Sequence, residues 1–324
     1  MRVIRFCEYG GPEVLQTIEL PTPKPTGHEV LIEVKAIGVN FADTARREGK
    51  YVVKTPLPFV PGAEIAGIVV AVGDQVSTVQ VGSRVVTLIE SGGYAEYALA
   101  DSRGLFPVPE GVKFEQAVAL PLQGLSAYHI LKTMGNLQPG ERVLVHAAAG
   151  GVGLLAVQLA KQFGAGQVIA TASSEEKLQL AKEEGADTLI NYTEQGWEKR
   201  VLEATEGQGV DVALEMAGGE VFNKTLACMA VFGRLVIYGM ASGQPSTLLP
   251  SSLMRKNQAV IGFFLPQIMR KPALLESSMI ELLQYVNRGQ LKLRIGGVYP
   301  LEEASKVHEL LQSRKTTGKL ILVP

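Results

Sequence analysis

The sequence predicts an α/β protein in two parts, a β-rich domain and a doubly wound parallel-sheet domain. Three observations lead there. Residues 1 to about 120 break into short alternating segments at 2–6, 29–37, 65–72, 84–87 and 94–99, punctuated by Gly and Pro. From residue 141 onward strands and helical periods alternate, with strands at 142–146, 167–171 and 188–191 and helices at 152–163 and 175–184. The first of these strands runs into a glycine-rich turn that opens the first helix.

Further strands are expected at 210–215 and 233–238, the first followed by Gly218-Gly219 and a helix running to Met229. Crossovers between parallel strands are right-handed, so the sheet is doubly wound. Between the two parts, Ala127, Ile130 and Leu131 recur at helical spacing, which puts a boundary near Leu120. The tail carries helices at 274–288 and 302–313, a turn at Pro300 and a closing strand at 319–323.

A chain of 324 residues exceeds one typical domain, so two domains sharing a cleft are expected. Hydrophobic residues make up 46%, charged residues 19%, and the net charge is -1, which gives no electrostatic case for nucleic acid. Arg46-Arg47 reads as a solvated helix face. Cys7 and Cys228 stand far apart without a CxxC pair, so no disulfide framework or cysteine zinc site is expected and a cytoplasmic setting fits. The most apolar stretch, 143–160, contains three glycines and is followed by Lys161, so no membrane span is expected.

In the turn HAAAGGVG, Gly150 lets the backbone approach a pyrophosphate and Gly153 lets the helix pack on the strand; free N–H groups at the helix start bind the anion. Ala148 departs from the usual first glycine. A site for NAD places an acidic side chain about 20 residues on, at the end of the second strand. Thr171, Ala172, Ser173 and Ser174 stand there instead, and Ser173, Ser174 and Lys177 supply donors and charge for a 2'-phosphate. NADP is therefore favoured. Ser174 also suits a helix N-cap, a role compatible with phosphate binding at the same helix end.

With these residues in view, the whole chain resembles the zinc-independent quinone oxidoreductase (zeta-crystallin-like) branch of the medium-chain dehydrogenase/reductase superfamily. The carriers are FCEYGGPEVL, GVNFAD around Asn40, PFVPGAEIAGIV from Pro58 to Val69, HAAAGGVG, SSEEK ending at Lys177, GAD, Asn191-Tyr192 and TGKLILVP. The resemblance implies a GroES-like catalytic domain at 1–121 and 266–324 with a Rossmann NADP-binding domain at 122–265 inserted between. Zinc-containing relatives carry ligands where Asn40 and Ala63 stand and near Leu122, so no zinc is expected here. The resemblance further implies Lys177 and Tyr192 on the 2'-phosphate and Gly151 and Val152 on the pyrophosphate. It places Asn40 and Ser126 toward the nicotinamide, Gly239, Met240, Phe264 and Leu265 along its trough, and Lys319 within reach of the pyrophosphate.

Metal-free transfer of reducing equivalents suits quinones and α,β-unsaturated carbonyls, whose conjugation disperses developing negative charge. Asn40, Asp43 and Tyr51 are the polar residues expected nearest the substrate, with Asn40 a hydrogen-bond donor and Tyr51 a donor to an enolate oxygen; Asp43 equally suits bracing the following helix. His28, His129, His146 and His308 show no metal spacing and read as structural. The expected activity is NADPH-dependent quinone reduction. Enone, enal or enoyl-thioester reduction is the alternative, and an NADPH-binding regulatory or structural protein the alternative from another class. A homodimer formed by edge pairing of the apolar strand around 260–264 is expected.

Overall fold

A computed structural model describes residues 1–324, which divide into two compact units, Met1–Leu122 with Leu293–Pro324 and Gln123–Lys292.

The chain begins with the hairpin of β1 (Arg2–Arg5) and β2 (Gln16–Glu19), then builds an antiparallel array from β3 (Glu29–Val39), β4 (Glu64–Val72), β5 (Arg84–Leu88), β6 (Tyr97–Asp101) and β7 (Leu105–Pro107). Helix α1 (Phe41–Arg47) leaves β3, and the short α2 (Phe114–Ala117) precedes α3 (Pro121–His129). β3 is the hub, pairing with β4 and β6, and its apolar residues Val30, Ile32, Val34, Ile37 and Val39 enter the core of this unit. Gly67 in β4 lies so close to β3 that a Cβ there would meet the Glu33 carbonyl at 2.1 Å.

The second unit is a six-stranded parallel sheet. Its strands are β8 (Arg142–Val145), β9 (Gln167–Ala172), β10 (Thr188–Asn191), β11 (Val210–Glu215), β12 (Met229–Ile237) and β13 (Ala259–Gly262). They are ordered β10-β9-β8-β11-β12-β13, the doubly wound arrangement whose order reverses between β8 and β11. Helices α4 (Gly151–Gln162), α5 (Glu175–Glu183), α6 (Trp197–Ala204) and α7 (Glu220–Ala227) connect the strands from β8 to β12, and a 3-10 turn at Pro250–Lys256 lies between β12 and β13. Burial on both faces accounts for the continuous apolar runs: Val143, Leu144, Val145, Val168, Ile169, Val212, Ala213 and Leu214 are all inaccessible.

Helices α8 (Leu265–Met269) and α9 (Pro272–Asn287) also belong to this unit, correcting the expected division at 265/266. His129 Nε2 meets Ser278 Oγ at 3.1 Å, Tyr128 donates to Glu281 at 2.6 Å, and Gln158 holds the Lys292 backbone through both amide atoms. Only after Lys292 does the chain return to the first unit. There β14 (Ile295–Pro300), not foreseen as a strand, pairs parallel with β15 (Lys319–Val323), and β15 pairs antiparallel with β3. Helix α10 (Ala304–Gln312) adds Ala304 and Val307 to the core.

Arg47 corrects the expectation of a solvated face. Its side chain is inaccessible, donating to Gly10 O at 3.0 Å, Glu48 at 3.0 Å and Gln312 at 2.9 Å and facing His308 Nδ1 at 3.3 Å. Tyr94 meets the other nitrogen of His308 at 3.0 Å, so this network ties α1 to α10.

Three buried imidazoles predict acid sensitivity. Burial lowers His129 and His146 to about 4 and His308 to about 3, from an ordinary 6.5, with Arg47 adding to the effect at His308. Neutral when folded, they take up protons only on unfolding. Their stabilisation is therefore complete above pH 6.5 and falls as pH drops toward about 4, each contributing about 1.4 kcal/mol per pH unit in that window. Asp43, which burial pushes up to about 6, acts in the opposite sense and offsets part of the loss. Urea denaturation across pH 7 to 4.5 is expected to give a falling midpoint, with a shallower fall in His146→Gln.

Candidate functional site

In the second unit the glycine-rich turn sits at the carboxyl end of β8, beside the reversal of strand order where doubly wound sheets bind ligands. Gly150 is the N-cap of α4, so its successors Gly151, Val152 and Gly153 present the unpaired N–H groups of a helix start. A Cβ on Gly153 would stand 2.3 Å from the Ala147 carbonyl oxygen, so only glycine lets the helix pack this closely. At Gly150 a Cβ would meet that same oxygen at 3.2 Å, a tight contact, with no other atom within 4 Å. Ala148 is buried and donates its N–H to Thr171 O at 3.0 Å, tying the turn to β9. Below it His146 bridges Thr171 and Thr225, 2.8 Å from each hydroxyl oxygen.

Ser174 is the N-cap of α5, its Oγ accepting from Lys177 N at 3.4 Å. Parallel pairing of β9 with β10 sets Asn191 beside Ala172, and Tyr192 N donates to Ala172 O at 3.1 Å. Ser173, Ser174, Lys177 and Tyr192 are thus gathered at one sheet corner, although Tyr192 is separate in sequence from the other three. Partial burial lowers the Lys177 ammonium from its ordinary value, against the opposing effect of Glu176. Gly239 follows β12, Phe264 caps α8, and Ser126 lies in α3. Met240 is exposed, whereas Leu265 and Ser126 are buried.

Glu215, which sequence reasoning passed over, ends β11. One oxygen accepts from Ala217 N at 2.8 Å and Gly218 N at 2.9 Å; the other is buried without a hydrogen-bond partner, and burial raises this carboxyl.

In the first unit a buried charged cluster joins Asn40, Glu64 and Lys319. Lys319 Nζ donates to Asn40 Oδ1 at 2.8 Å and to Glu64 Oε1, both ends of the ion pair being inaccessible. Asn40 Nδ2 donates to Glu64 Oε1 at 2.7 Å and Gly38 O at 3.3 Å, and Glu64 Oε2 accepts from Leu122 N at 2.8 Å. The ammonium must face an oxygen and the carboxylate must face a donor, so the orientation of the Asn40 amide is fixed.

Three expectations change here. Lys319 spends its ammonium on Asn40 and Glu64 within this cluster instead of holding it for a pyrophosphate. Asn40 spends both amide hydrogens internally, so it offers a ligand a lone pair on Oδ1 rather than a donor. Asp43 accepts from Asn40 N at 2.9 Å and Gly62 N at 3.3 Å; buried at the start of α1, it braces the helix rather than standing beside a substrate. Tyr51 remains half-buried at the edge of this unit under the Arg46 guanidinium, 4.1 Å from its ring centroid. Glu64 and Lys319 each begin an apolar strand, which is the sequence signal that a charge enters a core there.

Comparisons with known proteins agree with this arrangement. Residues 26–110 match the alcohol dehydrogenase GroES-like domain family, and residues 151–283 match the zinc-binding dehydrogenase family. A quinone oxidoreductase of Pseudomonas aeruginosa is 38% identical over 99% of both chains. The chain belongs to the quinone oxidoreductase branch of the medium-chain dehydrogenase/reductase superfamily. The human quinone oxidoreductase is 36% identical over 100% of this chain and 98% of its own. The quinone oxidoreductase of Escherichia coli, solved in complex with NADPH, superposes with a TM-score of 0.95 at 36% identity over the whole of both chains. The two units are therefore the GroES-like and Rossmann-type domains of this branch.

The zinc named in one of these families finds no donor set here. Asn40, Ala63 and Leu122 supply no thiolate, imidazole or carboxylate, and no three His, Cys, Asp or Glu side chains gather to hold a metal. The Glu64 carboxylate already holds the Lys319 ammonium, a cation in its own right. These residues do not fit zinc.

Proposed function

We propose that this chain is an NADPH-dependent oxidoreductase that reduces quinones without a metal. The observation that carries the reading is the nucleotide corner of the second unit. A helix start opened by Gly150 lies at the switch point, and Ser173, Ser174, Lys177 and Tyr192 converge at the end of β9, where positions 171–174 hold no carboxylate for a ribose hydroxyl, while Glu175 and Glu176 on the first turn of α5 work against the anion. Gly150, Gly151, Val152 and Gly153 hold the pyrophosphate through backbone N–H groups. Ser126, Gly239, Met240, Phe264 and Leu265 of the second unit lie toward the nicotinamide; in the first unit Asn40 Oδ1 is the acceptor offered to a ligand. When bound, the nicotinamide supplies the reducing equivalents. Tyr51 provides the hydroxyl that donates a proton to the reduced acceptor oxygen.

A homodimer completes the proposal. β13 is the edge of the parallel sheet, and Val231, Phe232, Leu249 and Met254 of the same unit are exposed apolar side chains. No helix is long and apolar enough to cross a membrane. Cys7 and Cys228 are both free, which suits the cytoplasm.

The substrate class is tested by NADPH oxidation against 1,4-benzoquinone, an enal, an enoyl-CoA and a simple ketone. Quinone turnover with none on the ketone is expected. Turnover confined to the enal or thioester would replace quinone by those acceptors.

A further inference from the structure

Arg46 and Arg47 end the same helix about 100° apart, and they go separate ways. Arg47 is locked inside. Arg46 emerges over the loop that follows α1, its Cζ 4.1 Å from the centroid of the Tyr51 ring and 5.4 Å from that of Phe59. Stacked on rings rather than paired with a carboxylate, this guanidinium keeps its full charge at the surface it faces. The same stretch of chain carries exposed apolar side chains, Phe41 on α1 and Val52, Val53 and Leu57 after it. Lys50 pairs with Glu48 at 2.9 Å, a carboxylate it shares with Arg47, and Lys54 adds a further exposed cation. The buried Asp43 carboxylate opposes Arg46 at the Tyr51 hydroxyl, where burial has the largest effect and raises the phenol while Arg46 lowers it through charge and a hydrogen bond.

We propose that Arg46 is a specificity-determining residue, biasing the acceptor site toward quinones that carry an anionic ring substituent, a sulfonate or carboxylate, over neutral quinones of the same ring. The inference rests on the reading of Tyr51 as standing at the acceptor. The apolar side chains next to Tyr51 in the chain suit the ring faces of a quinone. The guanidinium supplies a charge that water and salt screen only in part, because one face lies against the Tyr51 ring. Lysine would keep the charge but lose the planar stacking, and methionine would keep the stem alone.

The experiment measures kcat/KM for 1,4-naphthoquinone-2-sulfonate and for 1,4-naphthoquinone at saturating NADPH, in the wild type and in Arg46→Met, Arg46→Lys and Tyr51→Phe. Folded fraction cancels in the ratio of the two acceptors within each variant, and their difference in reduction potential cancels when that ratio is compared between variants. Arg46→Met is expected to lower the sulfonate-to-neutral ratio by about 5–10-fold, the effect of removing one partly screened charge, with Arg46→Lys retaining most of it. Added salt should lower the wild-type ratio and leave that of Arg46→Met level. An unchanged ratio in Arg46→Met, with Tyr51→Phe altering turnover, would overturn the proposal while leaving Tyr51 at the acceptor. If neither Arg46→Met nor Tyr51→Phe altered turnover of either quinone, Tyr51 would not be at the acceptor site and the proposal would fall with that reading.

Discussion

Lys319→Met is expected to destabilise the first unit by about 3–5 kcal/mol, because it leaves the Glu64 carboxylate buried without its counter-ion. Methionine matches the length of the lysine stem, so little of the loss comes from packing. The Asn40 amide also loses the donor that fixes its oxygen. Glu64→Gln combined with Lys319→Met removes both charges and keeps an amide able to accept from Leu122 N, so the double variant should recover much of the stability lost in the single one. Equilibrium urea denaturation of the three proteins measures this. Equal destabilisation by the single and double variants would mean that packing, not charge, is what the cluster supplies.

The second large effect falls on the cofactor. Lys177→Ala should raise the KM for NADPH by about 10–100-fold and leave that for NADH nearly unchanged, the range expected for loss of one charge-assisted contact to a phosphate. The direction follows from position. Ser174 caps α5 and leaves the Lys177 stem on its first turn, and β10 delivers Tyr192 alongside. No acidic side chain between Thr171 and Ser174 offers the ribose hydroxyl contact that would favour NADH. Steady-state kinetics with both nucleotides, at a fixed quinone concentration, separate this selectivity from a general loss of folding, which would weaken both alike.

The nucleotide half of the molecule was legible because its physics is local. Strands β8, β9 and β11 are buried on both faces through their middles and apolar there, and the close approach at Gly153 forces the glycine that marks the turn. What stayed hidden depends on partners distant in the chain. Lys319 and Glu64 are 255 positions apart, Arg47 and His308 261 apart, and nothing local announces that either pair is buried together. Charge alone suggested a solvent face for Arg47, and the resemblance alone an extended reach for Lys319. Asp43 was half legible, since its spacing from Asn40 suits a capping box, while its second acceptor contact, to Gly62, comes from the segment before β4. The assignment of α9 failed for a related reason: its polar anchors, Ser278 and Glu281, bind His129, Tyr128 and Lys132, residues that sequence spacing does not connect to it.

The most direct measurement is the stoichiometry of NADPH consumed to hydroquinone formed by chelator-treated protein whose metal content has been determined. One NADPH per hydroquinone, sustained in metal-free protein, is the predicted result. NADPH binding with no turnover of any acceptor, or turnover restored only by added zinc, would contradict metal-free quinone reduction.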